Sequence, residues 1–233
     1  MTKNNKVLSK TEMNDGIKLS IIIPCYNEED VLPLTLEKLK TLSNEWSSRD
    51  DFKSFEFLFV DDGSQDRSAE LLAEATIAYQ QFKVIHFSRN FGHQAALLAG
   101  YEFAKGDVIV SLDADLQDPP ELIITMLETL KEGYDIIYAA RKSRGIDSLF
   151  KRMTADLFYW LMKKLGAEII SNHADFRMIT RRVLNEFLKF NENNLFIRAT
   201  FPMVGFPSCV VYYDRPERKA GKTKYPFRKM LEF

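Results

Sequence analysis

The chain has 233 residues, of which 45% are hydrophobic and 28% are charged, the ordinary balance of a globular protein with a full core. No apolar run approaches the roughly 18 residues of a membrane span, which argues against an integral membrane bundle. The two cysteines, Cys25 and Cys209, argue against a disulfide framework. We therefore expect one large domain or two small ones in a reducing compartment, with both thiols free.

The net charge of −1 conceals an uneven distribution along the chain. Residues 1–140 contain 13 Lys+Arg and 24 Asp+Glu, a balance of −11, whereas residues 141–233 contain 19 and 9, a balance of +10. A basic second half favours anionic partners such as phosphates or a lipid surface, although solvated surface charge gives the same count. The sequence has no recognised nucleic-acid-binding motif, so we expect no nucleic-acid partner.

Strand-like and helix-like segments alternate from residue 18 to residue 139. The expected strands are 18–24, 55–60, 83–87, 107–112 and 135–139. The expected helices are 30–42, 93–104 and 121–131, with one more after Asp66. Five strands that alternate with helices indicate a parallel, doubly wound sheet.

A polar cluster follows each of the first four strands. The clusters are Tyr26-Asn27-Glu28, Asp61-Asp62-Gly63-Ser64, Arg89-Asn90 and Asp113 to Gln117. Because ligands of α/β sheets bind at the carboxyl ends of the strands, this recurrence predicts a nucleotide site. The sequence has neither a Gly-x-Gly-x-x-Gly motif nor a phosphate-loop lysine, which argues against dehydrogenases and P-loop NTPases.

The segment after the fourth strand, residues 113–118, carries three oxygen-bearing side chains at alternate positions. If the segment stays extended, Asp113, Asp115 and Gln117 project to the same side. Such hard ligands suit Mg²⁺ or Mn²⁺ that shares its coordination shell with substrate phosphates. The competing interpretation is a solvated turn that leads into the next helix, and in both cases Asp118 is the expected N-cap residue.

Six segments of the chain together resemble a known enzyme family. They are Ser20 to Glu28, Val60 to Ser64, Ser88 to Gly92, Leu112 to Asp118, Ala174 to Arg177 and Arg218 to Tyr225. In these segments, which span about residues 18–230, the sequence is similar to family-2 inverting glycosyltransferases of the polyprenyl-phosphate type. Relatives of that type include dolichol-phosphate mannosyltransferase and bactoprenol glucosyltransferases.

The resemblance implies a fold and a division of the chain. The expected fold is the α/β nucleotide-diphospho-sugar transferase (GT-A, Rossmann-like) fold, a mostly parallel central sheet with helices on both faces. Residues 1–16 are expected to be a flexible tail and residues 17–233 a single catalytic domain. Within that domain, residues 17–140 would bind the nucleotide sugar and residues 141–233 would face the acceptor and the membrane.

The resemblance also assigns roles to individual positions. The residues expected to bind the donor nucleotide are Pro24, Tyr26, Glu28, Asp61, Asp62 and Asp113. A divalent ion, Mg²⁺ or Mn²⁺, is expected on Asp115 and Gln117, and the catalytic candidates are Asp175 and Asp113. The residues expected to contact phosphate or the acceptor are Arg141, Arg144, Arg177, Arg218, Thr223 and Lys224.

Several of these positions have a second interpretation from the residues themselves. The cluster at Asp61 and Asp62 is also typical of a turn that caps a helix. Asp175 and Arg177 are also typical of a structural ion pair. The segment Arg141 to Arg144 is also consistent with a solvated basic loop. Asn90 and Gly92 suit a ligand contact and a helix start about equally.

Residues 148–165 read as an amphipathic helix, for which core packing and an interfacial membrane position are both open. The resemblance favours the membrane. It also leads us to expect that C-terminal transmembrane helices are absent from this chain or that another subunit anchors it at the cytoplasmic face of the cell membrane. Homo-oligomer formation is left open.

The resemblance predicts the transfer of a sugar from a nucleotide diphosphate, with UDP expected, to polyprenyl (undecaprenyl) phosphate with inversion at the anomeric carbon. One alternative is a family-2 transferase that uses a polysaccharide or glycan hydroxyl as acceptor. Another is a non-catalytic module that binds nucleotide sugars.

Overall fold

Residues 16–142, 173–190 and 197–214 are described by the computed structural model. The strands in these ranges are β1 (Ile17–Cys25), β2 (Phe52–Asp61), β3 (Phe82–His86), β4 (Val108–Ser111), β5 (Ile136–Arg141), β6 (His173–Thr180) and β7 (Ser208–Tyr213). The helices are α1 (Leu32–Trp46), α2 (Ser68–Ala78), α3 (His93–Phe103), α4 (Leu122–Lys131), α5 (Arg181–Phe187) and α6 (Ile197–Met203). The tail up to residue 15, the expected helix at 148–165 and the basic segment from residue 215 onward lie outside these ranges.

The strands form one mixed sheet in the order β3-β2-β1-β4-β6-β5-β7. All neighbouring pairs are parallel except the two pairs that β6 makes with β4 and β5, which are antiparallel. The mostly parallel sheet confirms the predicted fold class. The five predicted strands are present, but β6 separates β4 from β5, so these two strands do not pair as consecutive strands of a doubly wound sheet commonly do.

Side chains on the two faces of the sheet enter two separate hydrophobic clusters. In β1 every residue except Lys18 is buried, with Ile21 and Ile23 in one cluster and Ile22 in the other. This alternation follows from the two-residue period of a strand. Helices α1, α2 and α4 cover the first face, and α3, α5 and α6 cover the second. The expected helices on both faces are therefore confirmed.

Helix α1 ends four residues later than the sequence predicted. Its last residue, Trp46, is buried and packs against Phe52, Phe55 and Phe57, with ring centroids 5.1, 5.8 and 6.0 Å away. These aromatic partners belong to β2, so the hydrophobic pattern within the helix does not reveal them. Tertiary packing therefore extends the helix beyond the point at which its local pattern fades.

The cysteines and the hydropathy of the helices can be compared with what the composition predicted. Both cysteines are free thiols, as predicted, with Cys25 buried in β1 and Cys209 partly buried in β7. Among the helices in the described ranges, none has the length and hydropathy needed to cross a bilayer.

Helix α3 approaches β1 closely because Gly100 faces Ile22. A Cβ added at Gly100 would lie 2.2 Å from Cγ2 of Ile22, and both residues are buried. We expect Gly100→Ala to lower the free energy of unfolding, since overpacking costs about 1–3 kcal/mol and the gain in helix propensity is only about 1 kcal/mol. Urea unfolding of this variant would measure the loss. Glu102→Ala on the exposed side of α3 is the control, and a Gly100→Ala protein as stable as that control would contradict the close packing.

Candidate active site

The loops after β1 and β2 are tied together at the carboxyl edge of the sheet. The backbone N–H of Asn27 donates to Oγ of Ser64 at 3.0 Å, and that of Glu28 donates to Oγ of Ser68 at 2.8 Å. The amide of Gln65 donates in turn to Oδ1 of Asn27 at 2.8 Å. Two of the predicted polar clusters therefore meet, with Tyr26 and Glu28 partly exposed at this edge and Pro24 buried at the end of β1.

Asp62 holds the loop that follows β3. Its carboxylate accepts hydrogen bonds from Nδ2 of Asn90 at 2.9 Å and from the backbone N–H groups of Phe91 at 2.7 Å and Gly92 at 2.9 Å. The carboxylate is 3% exposed, so these donors surround most of it. Asn90 and Gly92 accordingly help to fix the loop that precedes α3 through their hydrogen bonds to Asp62. A contact of Asp62 with the donor nucleotide stays a prediction.

Asp61 has a similar supporting environment in the β2–α2 connection. Its Oδ1 accepts the backbone N–H of Ser64 at 3.1 Å, and its Oδ2 lies 3.0 Å from Nδ1 of His86. Gly63 has a φ of +68°, and a Cβ there would lie 2.3 Å from the carbonyl carbon of Arg89. The turn and the β3 loop can therefore pack together only because residue 63 is a glycine. The turn interpretation of this cluster fits the geometry.

The segment 113–118 is turned and not extended. A turn forms at Ala114 and Asp115, Leu116 has a φ of +55°, and Oδ1 of Asp115 accepts the backbone N–H of Gln117 at 3.0 Å. Thr35 of α1 fixes the turn by donating to the carbonyl of Ala114 at 2.6 Å. The condition under which the three alternate side chains would share one side, an extended segment, is therefore not met.

The residues of this turn fit a metal ion that is shared with a substrate. Gln117 is 8% exposed and its side-chain amide bonds to no other described residue, while Asp115 is partly exposed. Within the described ranges, no group of three or more His, Cys, Asp or Glu side chains could hold a metal. Mg²⁺ commonly takes one or two carboxylates together with substrate phosphates. A carboxylate and an amide oxygen therefore suit a shared ion better than one held by protein ligands alone.

Asp118 does not cap the helix that follows it, which corrects the sequence-based expectation. The residue that precedes α4 is Glu121, and it makes no side-chain capping bond. Asp118 is fully buried, and its Oδ1 accepts hydrogen bonds from Nη2 of Arg141 at 3.0 Å and from the hydroxyl of Tyr213. A buried carboxylate next to an arginine gains more from that partner than from solvated helix N–H groups. Asp118 thus joins the turn at residues 113–118 to β5 and β7, and Arg141 is partly engaged there.

A dense ionic cluster surrounds Asp175 near the start of β6. Its Oδ1 accepts hydrogen bonds from Nη2 of Arg177 at 2.8 Å and Nε of Arg198 at 3.0 Å. Its Oδ2 accepts one from Nη2 of Arg198 at 2.8 Å and lies 3.1 Å from Nε2 of His93. Nε2 of His93 also lies 3.9 Å from Oδ1 of Asp113. Both oxygens of Asp175 are therefore fully engaged.

These contacts decide the protonation behaviour of the cluster. Burial would raise the pKa of Asp175, but hydrogen bonds from His93 and Arg198 and the charges of both arginines hold that pKa well below its usual range. Burial would lower the pKa of His93, but the two carboxylates beside it raise that pKa overall. Burial, together with the neighbouring carboxylates, raises the pKa of Asp113 to about 6 against the effect of His93. Asp175 is thus a weakly basic carboxylate.

Arg177, predicted to contact phosphate or the acceptor, is fully buried. Besides Asp175 it reaches the carbonyl of Ile197 at 3.5 Å, and its guanidinium carbon lies 4.9 Å from the ring centroid of Phe201. A guanidinium without accessible surface is not placed to contact a ligand. The geometry therefore favours the structural ion pair as the interpretation of Arg177.

Sequence reasoning missed two members of the cluster, His93 and Arg198. His93 follows directly on the segment Ser88 to Gly92, so a look one residue past that motif could have found it. Arg198 lies in no recognised motif and reaches the site only because α6 packs on the sheet. Four predicted contacts of phosphate or acceptor lie outside the described residues, and their roles stay predictions: Arg144, Arg218, Thr223 and Lys224.

The Glycosyl transferase family 2 profile matches residues 20–188, more than half of the chain. The chain belongs to this family. The sequence-based recognition of the family is confirmed, and so is the assignment to the glycosyltransferase class of enzymes.

Curated relatives of this family-2 chain align over most of its length. The uncharacterized glycosyltransferases YkcC and YkoT of Bacillus subtilis (strain 168) are 45% and 47% identical over 221 residues, 94% and 92% of this chain. A prophage bactoprenol glucosyl transferase homolog of Escherichia coli (strain K12) is 34% identical over 212 residues, 90% of this chain. The alignments cover 67%, 65% and 67% of these three proteins, so the chain spans about two thirds of their length.

Solved structures share the fold at low sequence identity. Glucosyl-3-phosphoglycerate synthase from Mycobacterium tuberculosis, in complex with Mn²⁺, UDP and phosphoglyceric acid, has a TM-score of 0.63 at 17% identity, covering 96% of this chain and 78% of its own. Mannosyltransferase PcManGT from Pyrobaculum calidifontis, in complex with GDP-Man and Mn²⁺, has a TM-score of 0.56 at 18% identity, covering 88% and 59%. The GT-A fold of the family-2 chain is thereby confirmed.

The hydrogen bonds of Asp62 predict a measurable effect on the loop that starts α3. We expect Asp62→Asn to lower the free energy of unfolding by about 2 kcal/mol, because bonds to a charged acceptor are worth about 1.5–3 kcal/mol and an amide cannot accept at both positions. Hydrogen exchange should show faster exchange of the Phe91 and Gly92 amides. Asp50→Asn on the surface serves as the control. Unchanged protection of both amides would contradict the supporting role of Asp62.

Proposed function

We propose that the chain transfers a sugar from a nucleotide-diphosphate donor, with UDP as the expected nucleotide, to the phosphate of a polyprenyl phosphate such as undecaprenyl phosphate. Membership of glycosyltransferase family 2 supports the sugar transfer. Similarity to proteins named bactoprenol glucosyl transferase supports the lipid acceptor. The resemblance to inverting enzymes supports inversion at the anomeric carbon.

The observation that carries this proposal is that hydrogen-bond donors occupy both carboxylate oxygens of Asp175. A sugar hydroxyl must lose its proton as it attacks, so a glycan acceptor needs a general base beside it. Asp175 has four donors around its two oxygens and a lowered pKa, which make it a poor base. A phosphate monoester has its second pKa near 6 and is mostly dianionic at neutral pH, so it needs no such base. The cluster therefore suits a phosphate acceptor better than a hydroxyl.

In the proposed reaction an oxygen of the acceptor phosphate forms a bond to the anomeric carbon while the bond from that carbon to the donor diphosphate breaks. Asp113, partly exposed at the carboxyl edge, would contact the donor sugar or ribose. A divalent ion held by Asp115 and Gln117 would neutralise the charge of the leaving diphosphate. Tyr26, Glu28 and the loops held by Asp61 and Asp62 would form the nucleotide pocket.

A lipid acceptor requires the catalytic domain to work at a membrane surface, and we propose the cytoplasmic face. The balance of +10 in residues 141–233 suits the negatively charged inner leaflet and the phosphates of donor and acceptor. Arg141, whose side chain is 30% exposed, belongs to this basic set and is bonded to Asp118 at the end of the turn that carries Asp115 and Gln117.

Transfer to lipid is the direct test of the proposal. The protein would be incubated with Mg²⁺ or Mn²⁺, liposomes that contain undecaprenyl phosphate, and a panel of labelled nucleotide sugars. We expect label to enter the lipid phase from one donor, with UDP sugars first in the panel. A chelator and Asp115→Ala should each abolish the transfer, because both remove the shared ion.

Two other outcomes of that experiment would contradict the proposal. Donor turnover that labels a glycan but no lipid would indicate a hydroxyl acceptor. Nucleotide binding without turnover of any donor would indicate a binding module. In both cases calorimetric titration of Mn²⁺ with UDP present tests the metal site separately, since Asp115→Ala should weaken ion binding whatever the acceptor is.

The engagement of both oxygens of Asp175 predicts discrimination between two lipids. We expect undecaprenol, whose terminal group is a hydroxyl, to be glycosylated about 10²–10⁴-fold more slowly than undecaprenyl phosphate, since general base catalysis contributes a factor of that size. Rates would be compared in the same liposomes at equal lipid concentration. Comparable labelling of undecaprenol would show that a base is present after all.

A further inference from the structure

We propose that Arg198 and His93 form the subsite that binds the phosphate group of the acceptor, and that Asp175 is a positioning residue behind them. This inference rests on the proposed function and adds to it the residues that recognise the acceptor. Neither residue was among the positions to which the sequence assigned a role.

Exposure is unevenly distributed over the cluster. The side chains of Asp175 and Arg177 are 3% and 0% exposed, whereas those of Arg198 and His93 are 44% and 36% exposed. An anion that approaches Arg198 and His93 therefore meets their N–H donors and hardly the carboxylate of Asp175, while the partly exposed carboxylate of Asp113 lies on the far, donor side of His93 at 3.9 Å. Exposed guanidinium and imidazole N–H groups of this kind attract phosphate.

The carboxylate of Asp175 has two arginine partners, and the charge of Asp113 also acts on one of them, Arg198. A buried carboxylate needs one cationic partner, and the fully buried Arg177 already supplies it at 2.8 Å. Arg198 adds a second positive charge through two hydrogen bonds to the same carboxylate. The second charge is half exposed, so it is available to a ligand in a way that the charge of Arg177 is not.

Asp175 also fixes the orientation of Arg198. The carboxylate engages Nε and Nη2 of the guanidinium in a two-point contact, whereas Nη1 bonds to no other described residue. A guanidinium carries five N–H groups in a rigid plane, so binding two of its nitrogens orients the rest. The remaining donors are thereby held in place before a ligand arrives, which lowers the entropy cost of binding.

His93 joins the acceptor side of the site to the donor side. Its Nε2 lies 3.1 Å from Oδ2 of Asp175 and 3.9 Å from Oδ1 of Asp113, the residue proposed to contact the donor sugar. A phosphate bound by His93 and Arg198 would therefore lie next to the donor end of the site. Such a position is the one that an attacking phosphate oxygen requires.

Steady-state kinetics of the full chain on undecaprenyl phosphate liposomes would test this subsite, with acceptor and donor varied separately. We expect Arg198→Gln to raise the KM for undecaprenyl phosphate about 10- to 100-fold, because a charge-assisted contact is lost, and to change the donor KM less than about 2-fold. Arg198→Lys keeps the charge without the fork and should give an intermediate KM. His93→Asn should raise the acceptor KM several-fold.

Arg182 offers a matched control at the opposite edge of the sheet. Its guanidinium also makes a two-point contact with a buried carboxylate, that of Asp135, with Nε 2.5 Å from Oδ1. Arg182→Gln removes an equivalent ion pair far from the cluster, so it should leave both KM values unchanged. A rise in acceptor KM for this control would show that loss of any such pair has the same effect, which would overturn the assignment.

The outcomes separate this inference from the proposed function. If the unaltered protein labels no lipid with any donor, the proposed function is wrong. If it labels lipid but Arg198→Gln and Arg198→Lys both keep a normal acceptor KM, the subsite is wrong while the function stands. Should Arg198→Gln fail to fold, Arg198→Lys and His93→Asn still decide through competition by inorganic phosphate against the acceptor, whose inhibition constant should rise in both.

Discussion

The contact between Asp175 and two arginines is the interaction on which the site depends. Arg177 is a charge without accessible surface in the middle of the sheet, and a buried charge that loses its partner costs several kcal/mol. Asp175 is therefore required by the fold before any chemistry begins. Once Arg177 has neutralised it, the carboxylate can still orient Arg198 and His93, but it can no longer accept a proton easily. A structural requirement thereby determines which chemistry the site supports.

The other acidic residues at this edge divide into those that hold loops and those that remain accessible. Asp61, Asp62 and Asp118 are almost fully buried and direct their oxygens at backbone amides, His86 or Arg141. Asp113 and Asp115 are partly exposed on the turn that these contacts stabilise. A run of acidic residues therefore does not mean an equal number of ligand contacts. Buried carboxylates hold the loops in place, so that a small number of exposed ones are presented at fixed positions at this edge.

The sequence predicted those parts of the fold that local pattern determines. Strands β1 to β5 are short apolar runs between turn residues, and each was found within a few residues of its predicted bounds. The position of β6 between β4 and β5 was not predictable in this way, because antiparallel insertion depends on long-range pairing such as Ser111 opposite Arg177. For the same reason His93 and Arg198 were missed, since they come from α3 and α6, which are distant in sequence and meet only by packing on the same face of the sheet. Motifs located the loops of the candidate site, and tertiary packing decided which side chains are exposed there.

The proposed acceptor depends on whether the site offers a group that can take up the proton of an attacking hydroxyl. A transferase that acts on hydroxyls needs a carboxylate whose basicity is preserved, and it must keep cations away from that group. The cluster at Asp175 has the opposite arrangement, with Arg177, Arg198 and His93 all directed at one carboxylate. In this arrangement Asp175 is a poor base, and the residues around it form a positively charged, preorganised surface. Such a site suits a nucleophile that is already deprotonated, as a phosphate monoester mostly is at neutral pH. The ionic network and the proposed acceptor thus account for each other.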